Sequence, residues 1–437
     1  VVRISGPRAL EIGQILTGRR LQPRRAHYAN FRDQRGDALD AGIALYFEAP
    51  HSFTGEAVVE LQGHGGPVVL GMVLDAVLVC GARLARAGEF TERAFLNGKL
   101  DLAQAEAVAD LIGSASAAAA RGAMRSLQGD FSDAVQAVDT ALLELRVFVE
   151  AAMDFPDEQI EFLAEGQVGS RLHSIGAELA TLLRNTRQGV LLRDGILIAL
   201  LGPPNVGKSS LLNRLAGEPR AIVSAIPGTT RDVVHVDLVI DGLPVQVVDT
   251  AGLRESADPI EQEGVRRARE QAARADLVLV LEDDVIAGRW FESPLLPVLE
   301  EILPELDPGR ILRVLNKVDQ SGFEPGLIDG PENTEPTAVR ISALTGAGVA
   351  ALTALIKTRI GYGGEGTAYT ARRRHVEALL TGARAVEAAQ RLLEAGAAAE
   401  LVAEELRNAQ LALGAIVGTM SADDLLGEIF ASFCIGK

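Results

Sequence analysis

Gly202-Pro-Pro-Asn-Val-Gly-Lys-Ser209 lies between the apolar run Gly195-Ile-Leu-Ile-Ala-Leu-Leu201 and the amphipathic Ser210-Leu-Leu-Asn-Arg-Leu215. That order predicts a buried strand, a glycine-bounded turn and a helix, the setting of a phosphate-binding loop. Gly202 and Gly207 let the backbone curl until several N–H groups face one centre, and the helix adds the positive end of its dipole. Lys208 then reaches the β- and γ-phosphates, and the Ser209 hydroxyl is placed to hold Mg²⁺. Alone, this pattern is also compatible with a chance glycine turn.

Working outward, further fragments follow in a fixed order. Pro227-Gly-Thr-Thr-Arg-Asp232 offers Thr230 as a second Mg²⁺ ligand. Val245-Gln-Val-Val-Asp-Thr-Ala-Gly252 is an apolar strand ending in D-x-x-G, with Asp249 at the metal end and the Gly252 N–H near a γ-phosphate. Ile311-Leu-Arg-Val-Leu-Asn-Lys-Val-Asp319 ends a strand in N-K-x-D. Asp319 can accept both guanine N1–H and N2–H, which adenine cannot satisfy, and an unpaired carboxylate there is costly. Ser342-Ala-Leu344 follows the strand Ala338-Val-Arg-Ile341 and is placed to back the base with a main-chain N–H. Each fragment alone is also compatible with a solvated loop or an ordinary strand end; together, in this order, they read as a guanine-nucleotide site.

Leu253 departs from the pattern of many regulatory GTPases, which carry glutamine after D-x-x-G to orient the attacking water. An aliphatic side chain cannot do this. Asn205 could ligate a monovalent cation beside the phosphates, or simply tighten the loop. Glu261 could orient water, or serve as a helix-start carboxylate on a solvated face.

The 437 residues suggest about three domains. No apolar run approaches the ~18 residues of a membrane helix, and two cysteines, Cys80 and Cys434, make no disulfide framework. A cytoplasmic protein with no membrane contact is expected. A net charge of −17 argues against an independent grip on a phosphate backbone, so any nucleic-acid contact requires a basic partner or a local patch. The six histidines lack metal-ligand spacing and read as structural or solvated.

Toward the N-terminus the pattern is mixed. The chain opens Val1-Val-Arg-Ile-Ser-Gly-Pro7, without methionine and in the middle of a strand pattern, so natural residues before Val1 are expected. Ala41–Phe47 and Ala57–Gln62 alternate as half-buried strands, and Pro67 opens a helix running to Val79. Glu60 reads as a solvent-facing carboxylate. Beyond Lys99 the chain turns helical, with stripes at Leu102, Ala105, Val108 and Leu111-Ile112; at Leu142, Leu145 and Val149; and at Leu172, Ile175, Leu179 and Leu182-Leu183. Gln320–Thr337, rich in Gly, Pro and acids, reads as a poorly ordered loop. After Gly361-Tyr-Gly-Gly-Glu-Gly366 the helical texture returns, with Val376, Leu379, Leu380, Ala383 and Val386, then Leu401, Leu406, Leu413, Ile416 and Val417. Cys434, near the end, reads as a nucleophile, a packing group or a bystander.

Across essentially the whole chain this order of segments resembles the tRNA-modification GTPase family called MnmE or TrmE. The matching strings include Ser52-Phe-Thr-Gly-Glu56, Leu61-Gln-Gly-His-Gly-Gly66, Gly88–Glu106, Asp154-Phe-Pro-Asp157, Arg372-Arg-Arg-His375 and Cys434-Ile-Gly-Lys437. The resemblance implies an α/β and α+β multidomain protein. A Ras-like P-loop GTPase domain (194–359) is inserted into an all-α helical domain (99–193 and 360–437), preceded by an α+β folate-binding and dimerisation domain (1–98).

It also implies the site residues. Nucleotide contacts would run through Asn205, Val206, Gly207, Lys208, Ser209 and Ser210, then Ser224, Ala225, Ile226, Pro227, Gly228, Thr229 and Thr230. They continue through Asp249, Thr250, Ala251 and Gly252, then Asn316, Lys317, Val318 and Asp319, and end at Ser342, Ala343 and Leu344. Mg²⁺ would sit at Ser209 and Thr230, K⁺ at Asn205, Ser224, Ile226 and Thr229, with Glu261 positioning water. Arg3, Glu60, Lys99 and Lys437 would contact 5,10-methylene- or 5-formyltetrahydrofolate, and Cys434 would serve the modification. Ser224 stands where the family pattern has threonine, which a main-chain carbonyl ligand would tolerate.

The implied activity is K⁺-dependent hydrolysis of GTP to GDP by a homodimer. With the FAD- and NADH-using partner MnmG (GidA), it would install a (carboxymethyl)aminomethyl group at C5 of the wobble uridine of tRNA. A different class, a GTP-switched rRNA-binding assembly factor, fits the GTPase motifs equally well; the acidic charge and the lack of a basic, aromatic RNA-binding segment weigh against it.

Overall fold

A computed structural model describes residues 1–154, 165–217, 234–249, 270–285, 307–328, 338–364 and 369–418. The chain forms two compact units: Val1–Ile112, Ser126–Ala180 and Glu377–Lys437 make one, and Gly113–Arg125 with Thr181–Val376 makes the other.

The first unit begins with β1 (Val2–Ser5), α1 (Ala9–Thr17), β2 (His27–Arg32), β3 (Ala38–Phe47), β4 (Val58–Gln62) and α2 (Pro67–Val79). The strands form an antiparallel sheet in the order β1-β4-β3-β2. Alternation sends Val2, Ile4, Phe31, Tyr46, Val59 and Leu61 into one core with Ile12, Leu16, Val73 and Val77 from the two helices. The same alternation puts Arg3, Ser5 and Glu60 on the opposite face. Gly42 is required in β3 because a Cβ there would collide with the Gln62 carbonyl. The helix read from Pro67 to Val79 has those bounds.

Then come α3 (Glu89–Leu96), α4 (Leu102–Ile112), α5 (Ala117–Gln128), α6 (Asp130–Asp154) and α7 (Glu165–Asp194). Leu142, Leu145 and Val149 on α6, and Leu172, Ile175 and Leu179 on α7, are buried as their spacing requires.

The second unit is built on β5 (Ile196–Leu201), α8 (Lys208–Ala216), β6 (Val234–Ile240), β7 (Leu243–Asp249), β8 (Leu277–Asp283) and β9 (Ile311–Asn316). It continues with the short α9 (Val318–Ser321), β10 (Gly326–Ile328), β11 (Ala338–Arg340) and α10 (Val349–Arg359). Its sheet order is β10-β11-β9-β8-β5-β7-β6. β5, β7, β8, β9 and β11 run parallel, and β6 and β10 are antiparallel edges. The central strands are near-continuous apolar runs because both faces are covered. The chain leaves β5 toward β7 on one side and β8 on the other, so the loop after β5 opens at the switch point of the sheet.

The segment read as a poorly ordered loop is corrected at its start. Gln320 and Ser321 close α9, and Gly326–Ile328 adds an edge strand to β11. Turn-forming residues dominate its composition, but three residues suffice for a short edge strand; residues 329–337 lie outside the described ones.

The chain closes with α11 (Arg373–Glu394) and α12 (Ala399–Val417), the latter packed along α6 through buried Leu406, Ala409, Leu413 and Ile416. Leu401, read as part of that stripe, is 52% exposed, and Val402 takes the inward place. Among the described residues no helix is long and apolar enough to cross a membrane.

Candidate nucleotide and folate sites

Between β5 and α8 the loop follows its sequence. Gly202 has φ +156° and passes the Leu281 carbonyl so closely that a Cβ would strike it; Gly207, φ +103°, passes the Asn316 amide. Asn205 is left-handed at φ +61° and exposed. The Lys208 ammonium donates to the Gly202 carbonyl at 2.7 Å and the Pro203 carbonyl at 3.1 Å, so it is folded back over the loop where phosphate oxygens would be its acceptors. Ser209 is exposed in the first turn of α8. The curled loop, the lysine and the helix start suit a nucleotide phosphate, with Ser209 next to it.

The end of β9 is tied to this loop. Asn316, 3% exposed, donates from Nδ2 to the Val206 carbonyl at 2.8 Å and accepts at Oδ1 from the Ala343 N–H at 2.9 Å. One side chain therefore fixes the phosphate loop and the Ser342-Ala-Leu344 turn to each other. The Ala343 N–H is used in this brace, while Leu344 is 73% exposed. Ser342 is buried, and its hydroxyl accepts from the Thr345 N–H at 3.1 Å.

Lys317 is left-handed at φ +72°, and its ammonium reaches Asp283 at the end of β8 at 2.7 Å. Asp283 also accepts the Val285 N–H at 3.0 Å. The neighbouring Asp284 is buried and accepts from Arg340 Nε at 3.1 Å and from the Ser321 hydroxyl on α9. Val318 is buried at the start of α9, and Asp319 is exposed just beyond the carboxyl end of β9, an interior strand of the sheet. Nothing in the sequence reading singled out Asp283 or Asp284; an acidic pair at the end of an apolar strand was the available signal.

Asp249 ends β7 with its main chain paired to Leu200 and Val234. Ser210 is exposed beside Ser209. Ser224, Ala225, Ile226, Pro227, Gly228, Thr229, Thr230, Thr250, Ala251, Gly252 and Glu261 lie outside the described residues, as do Leu253, Cys434 and Lys437.

In the first unit the reading of Glu60 as solvent-facing is corrected. Arg3 and Glu60 are register partners on β1 and β4, and their side chains form an ion pair at 2.7 Å in which Glu60 is 15% exposed. Glu60 also accepts from Gln62 at 3.2 Å. The Arg3 guanidinium lies 5.7 Å from the Phe53 ring centre and 5.8 Å from that of Phe90. The second face of the sheet is thus lined by charge and rings, which strand alternation alone reads as exposure.

Lys99 is next to the β3–β4 connection: its stem lies within 3.3 Å of where a Gly55 Cβ would stand, and Asn97 donates to the Thr54 carbonyl at 2.7 Å. Behind it, the buried Glu89 accepts from Arg83 at 2.8 Å, from the Arg86 N–H at 2.8 Å and from Arg93 at 2.8 Å. The Arg83 bond, opposed by burial, holds the Glu89 carboxyl well below the usual range. Arg93 also binds Glu56 at 2.9 Å, and Glu56 accepts from Ser5 at 2.8 Å.

A parallel sheet with G-x-x-x-x-G-K-S, D-x-x-G and N-K-x-D at the ends of its strands defines a P-loop GTPase. The model of the GTP-binding protein TrmE N-terminus matches residues 1–99, and that of the MnmE helical domain matches 102–434. The tRNA modification GTPase MnmE of Pseudomonas putida (strain W619) is 52% identical over all of this chain and 95% of its own length. The protein of that name from Nitrosococcus oceani is 51% identical over all of this chain and 94% of its own. Among solved structures, the G domain of the T. maritima FeoB iron transporter matches 38% of this chain and 98% of its own at 27% identity, with a TM-score of 0.28. The chain belongs to the MnmE family of tRNA-modification GTPases. It is a GTP hydrolase acting in tRNA modification.

Proposed function

We propose that this GTPase is K⁺-dependent and works with an FAD-dependent MnmG partner to install a (carboxymethyl)aminomethyl group at C5 of the wobble uridine, with a tetrahydrofolate as one-carbon donor. The Arg3–Glu60 pair between Phe53 and Phe90, beside Lys99, carries the folate part of this reading. A guanidinium–carboxylate pair offers donors and acceptors to a pterin edge, the rings offer it stacking, and Lys99 offers a cation to a glutamyl tail. Lys437 completes that set.

In the second unit, Lys208 and the loop N–H groups bind the phosphates, and Asp319 reads guanine. Ser209 and Thr230 hold Mg²⁺, which supplies charge neutralisation between phosphates. Asn205, with Ser224, Ile226 and Thr229, holds K⁺, which supplies positive charge where other GTPases use an arginine. Glu261 orients water in place of the glutamine that Leu253 displaces, and Cys434 serves the modification. The domains divide at 98/99, 193/194 and 359/360, and the chain acts as a cytoplasmic homodimer.

Steady-state GTP hydrolysis in KCl and in NaCl tests the cation assignment. Hydrolysis should rise in KCl and lose that rise in Asn205→Ala; equal rates in both salts remove K⁺ from the account. Glu261→Ala should slow turnover with little change in GDP affinity, and a large loss of affinity would make Glu261 structural.

A further inference from the structure

The acidic chain carries a strongly basic stretch near the start of its first unit. Between Gly18 and Asp37 six arginines, Arg19, Arg20, Arg24, Arg25, Arg32 and Arg35, stand against two aspartates, in a protein of net charge −17. All six are exposed. Over the rest of residues 1–112 the arginines are matched to carboxylates: Arg3 to Glu60, Arg8 to Glu11, Arg83 and Arg93 to Glu89, Arg86 to Glu92. None of the six has a carboxylate partner among the described residues. Arg25 donates to the Gln22 amide oxygen and Arg32 to the Gly36 carbonyl, contacts that leave their charge uncompensated. Asp33 spends one oxygen on the N–H groups of Arg35 and Asp37.

These arginines flank or lie on β2, the edge strand of the antiparallel sheet. Ala29 and Phe31 point into the core, so Tyr28, Asn30 and Arg32 line the other face at every second residue. Tyr28 is 67% exposed, and its register partner Ile43 is also exposed. An open aromatic ring, an amide and a guanidinium in a row, with five further exposed arginines in the flanking turns, are the groups that stack on unpaired bases and bind backbone phosphates.

We propose that β2 and its flanking turns form an RNA-binding face, with Tyr28 stacking on an unpaired base and the surrounding arginines neutralising phosphates. The proposal rests on tRNA being a direct partner of this chain. It corrects the sequence reading, which found no basic, aromatic segment, and supplies a local patch where the alternative was a basic partner.

The test is fluorescence anisotropy of a labelled, unmodified tRNA transcript with the full-length chain across a salt series. Among the described residues the side chains of Arg19, Arg24 and Arg35 make no hydrogen bond, so Arg19→Gln/Arg24→Gln/Arg35→Gln leaves the fold's contacts intact. It should weaken binding about tenfold or more and flatten the slope of log K against log salt by about 2. Arg→Lys at the same three positions should keep most of the affinity. Tyr28→Leu should cost about tenfold with little change in slope. GTP hydrolysis should be unchanged in all, which also reports that the variants are folded.

Equal tRNA affinity and slope in the glutamine variant would overturn the assignment of this face while leaving tRNA as a partner. Failure of the unaltered chain to bind tRNA would remove both. A change in light-scattering mass without a change in tRNA affinity would make the face a contact between copies and would also overturn it. Where the glutamine variant fails to fold, cross-linking of 4-thiouridine-containing tRNA to the unaltered chain decides: cross-links within 19–35 are expected, and cross-links only elsewhere contradict the proposal.

Discussion

The two sheets present their chemistry in opposite ways. The parallel sheet of the second unit is covered on both faces, so β5 and β8 are apolar almost throughout and polar chemistry emerges only where strands end, at Gly202, Asp283, Asn316 and Ser342. The antiparallel sheet of the first unit buries one face on α1 and α2 and leaves the other to carry Arg3, Glu60 and Tyr28 along the strands themselves. In the first case the polar groups come in contiguous strings; in the second they are assembled from alternate residues of strands far apart in sequence.

The largest effect expected falls on a strand-end residue. Lys208→Ala removes the ammonium proposed to bind the phosphates, which here donates to the Gly202 carbonyl, and should lower GTP affinity or kcat/KM by about 10³-fold, measured with a fluorescent nucleotide and by phosphate release. A loss below tenfold would mean that the loop N–H groups suffice and that contiguity overstates the role of this residue.

Next comes the support of the open face. Glu89→Gln leaves Arg83 and Arg93 short of a buried charge and should cost about 3 kcal/mol in urea unfolding at pH 7. Because the folded carboxyl is depressed, its stabilisation is complete above the ordinary glutamate value of 4.5 and is lost as pH falls. The gap between wild type and variant should therefore narrow in acid; a gap independent of pH would show that packing, not charge, is what Glu89 supplies.

Asp319→Asn should weaken GTP binding about 10²-fold and improve binding of xanthosine triphosphate, whose 2-oxo group accepts where guanine donates. Unchanged discrimination would move base recognition away from α9. The smallest effect belongs to Asp283→Ala, about tenfold in Kd for GDP with kcat nearly unchanged, since Asp283 acts by holding Lys317. A double-mutant cycle with Lys317→Ala should show that the two losses do not add.

The comparison also explains what the sequence disclosed. Gly202–Ser209 and Asn316–Asp319 were legible because strand, turn and chemistry are consecutive, so the local pattern contains the whole argument. The helix from Pro67 was legible from its proline and the turn before it. Glu60 was misread because its partner Arg3 is 57 residues away and meets it only through the β1–β4 register. The brace made by Asn316 between Val206 and Ala343 likewise joins three distant segments, and no spacing announces it. Leu401 failed for a smaller reason: a one-residue offset in helical phase turns an apolar side chain from the core to solvent.

Calorimetric titration of 5-formyltetrahydrofolate and of GDP into the wild-type chain and into Arg3→Ala tests most directly the assignment of folate to the open sheet face and of nucleotide to the strand ends. Arg3→Ala should weaken folate binding at least about tenfold, the loss of one charge-assisted contact, while GDP binds as before. Equal folate affinity in the two proteins would contradict the assignment of the open face.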